Sequence, residues 1–251
     1  MNLRLRWEVK ALHGPRSGAQ PLLEQLAFRV VLHADITRTA YFARMSEALV
    51  LPNVHELAGA CVTYVHRAIG IELDFTPDTL PILDHYLLQV GKTEGGLTDL
   101  IVASAGAYFG EVLLRTLEQM RWHIEPGDLD AWRLEVDHVF LFFNPLGMVR
   151  EAVAQAEVPG CFAHLEVLPR DRTILDESLS HLGDVREDDY YRLAVRYEVI
   201  EQVILALEGA SMSRKSEGEI FLPSVYDATA RALRSDPDAP ASAESPSKLP
   251  N

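Results

Sequence analysis

Three polar side chains within one apolar stretch have the spacing needed to act together. Tyr108, Glu111 and Arg115 stand at positions i, i+3 and i+7, so a helix places all three on one face. A carboxylate on so apolar a helix needs a partner, because an unpaired charge is costly to bury. Arg115, four residues after Glu111, is the obvious partner.

Two interpretations of this group remain open. In the first, Tyr108, Glu111 and Arg115 form a satisfied network that fixes the helix to a sheet. In the second, they line a ligand pocket with Glu111 as its anchor or its base, and Trp122 and Asn144 complete that pocket. Asn144 also has a structural interpretation of its own, since an asparagine directly before a proline is a typical helix cap.

A second cluster combines aromatic rings with a guanidinium group. Tyr190, Tyr191, Arg196 and Tyr197 lie close together in the sequence, and tyrosine and arginine are enriched at protein–protein interfaces. The cluster is therefore a candidate interface. The alternative is that Tyr190 and Tyr197, seven residues apart, lie on one helix face at the edge of the core.

The sequence contains no phosphate-binding loop, no dinucleotide-binding glycine motif and no nucleophile elbow. His55 and Glu56 begin like the zinc motif H-E-x-x-H, but Gly59 stands where the second histidine is required. Cys161 and His164 have the spacing of metal ligands without a second pair. We therefore predict no metal, no cofactor and no catalytic residues, and an enzyme is the less favoured class.

The composition is that of a folded, acidic protein. Of its 251 residues, 48% are apolar and 24% are charged, with a net charge of −14. This balance argues against binding to nucleic acid, which requires clustered lysine and arginine. No apolar run approaches the roughly 20 residues that span a bilayer, so no membrane association is predicted.

The charge is unevenly distributed along the chain. Residues 1–50 carry seven Lys or Arg and four Asp or Glu, so the acidic excess lies in the remainder. This polarity predicts a protein partner with a basic face, or contact between the chain's own acidic and basic surfaces. With only two cysteines, Cys61 and Cys161, and no apolar signal-peptide core at the start, we expect a reducing cytoplasm. No particular oligomeric state is predicted.

Periodicity predicts an α+β fold, with several helices packed on a small antiparallel sheet and a disordered C-terminal tail. Thr76 is expected to cap a helix that begins at Pro77, and Gly106 and Gly110 imply close approach of another element to their helix. The predicted strands are 2–9, 121–124, 132–136 and 139–143, and the predicted helices are 38–50, 54–69, 77–91, 97–119, one from Pro145, 172–182, 188–208 and a weak one over 220–233.

Three regions follow from this pattern. Residues 1–53 form an N-terminal strand and helix extension packed on the main domain, and residues 54–210 form the α+β core. Residues 211–251 are predicted to be a mostly disordered tail, because their composition buries too little apolar surface to offset chain entropy.

Several short motifs, taken in order, resemble an uncharacterised bacterial family known only as a domain of unknown function. A G-A-Y-x-G-E-V helix at 106–112 precedes the Trp122 strand and an N-P-L-G turn at 144–147. Residues 73–80, 188–191 and 196–198 look similar too, so the resemblance covers about 55–208. It implies a bacterial protein and no particular activity.

Two classes of function are therefore weighed. The leading hypothesis is a non-catalytic cytoplasmic protein that acts by protein–protein contact, as an adaptor or as an inhibitor or immunity-type partner. The alternative is an enzyme or small-ligand-binding protein that uses a pocket of Tyr108, Glu111 and Asn144. The environment of Glu111 discriminates between them, since an open pocket without an arginine partner favours the alternative.

Overall fold

The computed structural model describes residues 53–92, 99–117, 119–181, 186–214 and 220–235. The strand predicted at 2–9, the helix predicted at 38–50 and the rest of the N-terminal extension up to residue 52 lie outside this part of the chain, as does the tail from residue 236. Within it, the predicted α+β fold is confirmed, because helices pack on a four-stranded antiparallel sheet.

Helix α1, Val54–Ile69, has the bounds that the sequence predicts. It begins after Asn53, whose side chain accepts a hydrogen bond from the backbone N–H of His55. It ends at Gly70, which takes the left-handed φ of 74° that a residue with a Cβ adopts only at a cost. Helix α3, Asp99–Thr116, lies beside α1 and supplies the centre of the main core.

Helix α2, Leu80–Gly91, begins differently from the prediction. A 3₁₀ turn, Pro77–Thr79, precedes it, and the side chain of Thr76 makes no capping hydrogen bond, so the predicted cap is wrong. Asp74 organises the segment instead, because its carboxylate accepts hydrogen bonds from both the N–H and the hydroxyl of Thr76 and from the hydroxyl of Thr79. The Thr76 hydroxyl is the main reason that the pKa of Asp74 lies below its ordinary value.

The sheet is an antiparallel meander in the order β1-β2-β3-β4. Its strands are β1 Met120–His123, β2 Arg133–Val136, β3 Leu141–Phe143 and β4 Glu166–Val167. Register places Trp122, Leu134 and Phe143 side by side on the face that packs against the helices. The opposite face carries a second row, formed by Arg121, Glu135, Phe142 and Glu166.

The remaining helices are α4 Pro145–Ala154, α5 Arg172–His181, α6 Glu187–Tyr190, α7 Leu193–Ser213 and α8 Pro223–Ser235. Asn144 caps α4 as predicted, accepting from the N–H groups of Leu146 and Gly147. The helix predicted at 188–208 is divided because Arg192 is extended, with φ −70° and ψ 136°. The predicted end of the core at residue 210 falls inside α7.

Helix α8, which matches the weak helix predicted over 220–233 within the tail, lies on the second face of the sheet. Phe221 and Tyr226 are buried there with Phe140 and Phe142. The Tyr226 hydroxyl donates to the carbonyl oxygen of Val136 at 2.5 Å, and its ring stacks on Phe140 with centroids 4.6 Å apart. These aromatic contacts are long-range, which is why the weak amphipathic pattern of α8 did not indicate them.

Asp84 of α2 fixes the start of α7. Its two carboxylate oxygens accept hydrogen bonds from the N–H groups of Leu193 and Ala194, at 2.7 and 3.1 Å. The first amides of α7 are thus satisfied by a residue more than a hundred positions earlier in the chain. Burial raises the pKa of Asp84 to about 6, against the opposing effect of these two hydrogen bonds.

We expect Asp84→Asn to remove a pH dependence from the free energy of unfolding. The folded-state pKa of about 6 exceeds the ordinary value of 3.8, so the protonated Asp84 stabilises the folded state. This stabilisation is fully present below pH 3.8 and is lost as the pH rises through 6. The stability of the wild type relative to the variant should fall by about 3 kcal/mol from acid to neutral pH. Urea unfolding at several pH values measures it, and a constant difference between the two proteins contradicts it.

Candidate functional site

The structure places Tyr108 in a different network from Glu111. Tyr108 is completely buried, and its hydroxyl accepts a hydrogen bond from the N–H of Phe75 at 2.9 Å and lies 2.8 Å from the hydroxyl oxygen of Thr79. Phe75 has a positive φ of 63°, which is unfavourable for an aromatic residue and persists only where its surroundings hold it. Tyr108 therefore anchors the segment between α1 and α2.

Glu111 is held by three neighbouring side chains. The indole N–H of Trp122 donates to its Oε1 at 3.2 Å, and Nδ1 of His55 and Nη2 of Arg115 lie 3.5 and 3.9 Å from its Oε2. The guanidinium of Arg115 lies over the ring of Phe75, 3.8 Å from its centroid. With only 16% of its side chain exposed, Glu111 makes internal contacts on both oxygens.

The two helical glycines are explained by close packing, as the sequence predicts. A Cβ on Gly110 would lie 2.1 Å from Cζ2 of Trp122, and a Cβ on Gly106 would lie 2.8 Å from Cα of Leu146. Helix α3 can therefore contact the sheet and α4 only because these two positions lack a side chain. The same contact brings the Trp122 indole to Glu111.

Asn144 lies apart from Glu111. Besides capping α4, its amide donates to the carbonyl oxygens of Leu129 and Asp130, at 3.3 and 3.2 Å, and the residue is buried. It adjoins a cavity of about 20 Å³, which has room for a water molecule and not for a metabolite. Neither Tyr108 nor Glu111 lines this cavity.

Arg196 and the tyrosine pair before α7 do come together. The guanidinium carbon of Arg196 lies 6.0 and 5.7 Å from the ring centroids of Tyr190 and Tyr191, which form an edge-to-face pair. Arg196 itself is buried and bound to the buried carboxylate of Glu151 at 2.5 Å. Tyr190 is exposed, whereas Tyr197 packs against the main core.

The α8 face of the sheet holds a charged cluster that the sequence analysis missed. Ligand atoms of His123, Glu135 and Asp227 lie within 4.8 Å of one another, which is a spacing compatible with a metal ion. Arg133 already contacts both carboxylates, and Arg121 binds the other oxygen of Glu135 at 2.8 Å. Guanidinium groups thus neutralise these carboxylates from within the protein.

The exposed side of α7 carries apolar side chains. Leu205 and Met212 are 56% and 59% exposed. An added Cβ on Gly209, between them, would meet nothing within 4 Å. Helical geometry places three polar residues, Glu198, Glu201 and Gln202, on the same side of α7, one to two turns before Leu205. We call the whole strip the α7 outer face, and its residues are Glu198, Glu201, Gln202, Leu205, Gly209 and Met212.

Helix α5 packs against α7. The carboxylate of Asp171, directly before α5, binds Arg214, directly after α7, at 2.5 Å. Leu179 of α5 is also exposed.

The α7 outer face is not evident from the sequence. Apolar residues occur on both sides of helix α7, so Leu205 and Met212 look like core residues when only the sequence is read. The one signal in the sequence is that α7 has more apolar positions than one buried stripe can hold.

In comparisons with protein families, curated proteins and solved structures, no match to the chain was found. The resemblance to a bacterial family across residues 55–208 therefore stays a prediction. Among the described residues, no helix combines the length and the apolarity that crossing a membrane requires.

We expect Gly110→Ala to destabilise the protein, although alanine favours a helix by about 1 kcal/mol over glycine. The new methyl group would overlap the Trp122 ring and separate α3 from the sheet, at a cost of about 1–3 kcal/mol. Gly59→Ala, on an open part of α1, is the control and should raise stability. Chemical unfolding measures both, and a stable Gly110→Ala protein with unchanged tryptophan fluorescence contradicts the packing argument.

Proposed function

We propose that this protein is a non-catalytic binding protein of the cytoplasm, and that it recognises a protein partner with a basic face through the α7 outer face. The observation that carries the proposal is the contrast between the polar side chains of the candidate sites and the apolar side chains of α7. The chemically active groups are engaged within the fold, whereas Leu205 and Met212 are turned to the solvent.

The charge of the chain supports a basic partner. The protein carries a net charge of −14, and Glu198 and Glu201 lie on the same strip as the exposed apolar residues. Protein–protein interfaces combine apolar contacts with polar residues at their edges. Acidic residues at the edge of the apolar contacts accelerate the encounter with a basic partner and exclude acidic ones. Both cysteines are free, in keeping with a reducing compartment.

The alternative function, catalysis or small-ligand binding at Tyr108, Glu111 and Asn144, has less support. Glu111 has an arginine, a histidine and an indole as neighbours, and Asn144 belongs to a separate site. The cavity beside Asn144 is lined by neither Tyr108 nor Glu111. We therefore retain protein binding as the proposed function.

Affinity capture from a lysate of the source cells tests the proposal. Full-length wild-type protein should retain a partner that Leu205→Ser retains at least about tenfold less, because one buried leucine contributes on the order of 1.5–3 kcal/mol. Ile71, between α1 and α2, is similar to Leu205 in size and is 47% exposed. Ile71→Ser is therefore the matched control and should retain the partner. Capture should also weaken as the salt concentration rises.

Identical proteins recovered by the wild type and by Leu205→Ser would refute the proposed surface. Recovery of nothing above a bead control would count against the binding function itself. Circular dichroism of each variant confirms that its fold is intact.

A further inference from the structure

We infer that the segment of the partner that occupies the α7 outer face is a basic amphipathic α-helix. This inference rests on the proposed function and specifies its partner. The shape of the α7 outer face, the open position at Gly209 and the distribution of charge support it in turn.

The α7 outer face has the dimensions of one helix lying along another. It extends from Glu198 to Met212, a span of fifteen residues and about 21 Å, which corresponds to about four helical turns. Its apolar contacts at Leu205, Gly209 and Met212 follow the i, i+4, i+7 spacing that a second helix matches with its own apolar stripe.

Gly209 leaves a notch in the apolar half of this face. It lies inside a regular helix, where glycine costs about 1 kcal/mol relative to alanine, and a Cβ placed on it would meet nothing within 4 Å. A side chain from an opposing helix can enter that space between Leu205 and Met212. Met212 is flexible and polarizable, which allows it to adapt to such a side chain.

The charge selects a basic helix. Glu198, Glu201 and Gln202 occupy the half of the strip nearer the start of α7, and the apolar residues occupy the other half. A docked helix therefore needs lysine or arginine at one end of its apolar stripe. A neutral or acidic helix would leave the glutamates without partners across the interface.

A synthetic peptide provides the direct test. The probe is a fluorescein-labelled 18-residue peptide with leucine at i, i+3, i+4 and i+7 positions and lysine elsewhere, titrated with the full-length protein at moderate salt. A scrambled peptide of the same composition, which has no apolar stripe, controls for attraction between opposite net charges. We expect the ordered peptide to bind at least about tenfold more tightly than the scrambled one.

Two pairs of variants locate the bound peptide. Leu205→Ser should weaken binding about tenfold or more, whereas Ile71→Ser should leave it unchanged. Gly209→Leu fills the notch and should also weaken binding, whereas Gly59→Leu, at an equally open position of α1, should not. Leucine is a better helix former than glycine, so neither glycine variant should lose stability.

Equal binding of the ordered and scrambled peptides overturns the inference, as does binding that is insensitive to Leu205→Ser and Gly209→Leu. It is equally overturned if analytical ultracentrifugation finds a dimer that Leu205→Ser dissociates, since a second copy then covers the face. Capture of a partner that depends on Leu205, together with failure of the ordered peptide, leaves the proposed function standing and removes only the basic helix.

Discussion

Close packing at two glycines is the constraint on which the rest of the structure depends. Helix α3 contacts Trp122 of the sheet at Gly110 and Leu146 of α4 at Gly106, and a single methyl group at either position would force the elements apart. Since α1 also lies against α3, the helical layer and the sheet meet at this helix. The hydrogen bond from Trp122 to Glu111 is a consequence of that approach.

The charged residues inside the fold share one feature, which is that their partners come from other elements. Glu151 of α4 binds Arg196 of α7, and Asp84 of α2 accepts from the first amides of α7. On the other side of the sheet, Glu135 is bound by Arg121 and Arg133. Because a buried charge without a partner is costly, these contacts fix the relative positions of the elements.

The two sides of helix α7 differ in their surroundings. Its inner side packs against the core and is fixed at its start by Asp84, so the helix is a rigid element. Its outer side presents Leu205 and Met212 to the solvent next to an acidic half. The binding surface that we propose there lies on a rigid helix and loses little conformational entropy when a partner docks.

Local sequence patterns predicted much of the local structure. The bounds of α1, the Asn144 cap, the first three strands of the meander and the need for close approach at Gly106 and Gly110 follow from residues within about one helical turn or one strand of each other. The two-residue strand β4, Glu166–Val167, was not predicted. The same local reasoning was wrong at Thr76, because the stronger acceptor Asp74 organises that turn.

Only the tertiary structure decided which chemical groups meet. Tyr108 and Glu111 share a helix face one turn apart, yet one contacts Thr79 and the other contacts Trp122, because each partner arrives from a different element. Likewise, strand register and the packing of α8 bring His123, Glu135 and Asp227 together from distant parts of the chain. Backbone conformation is set mainly by neighbouring residues, whereas side-chain contacts and exposure are set by packing between elements far apart in sequence. For that reason the sequence predicted the helix that contains Leu205, and only the fold revealed that this leucine is exposed.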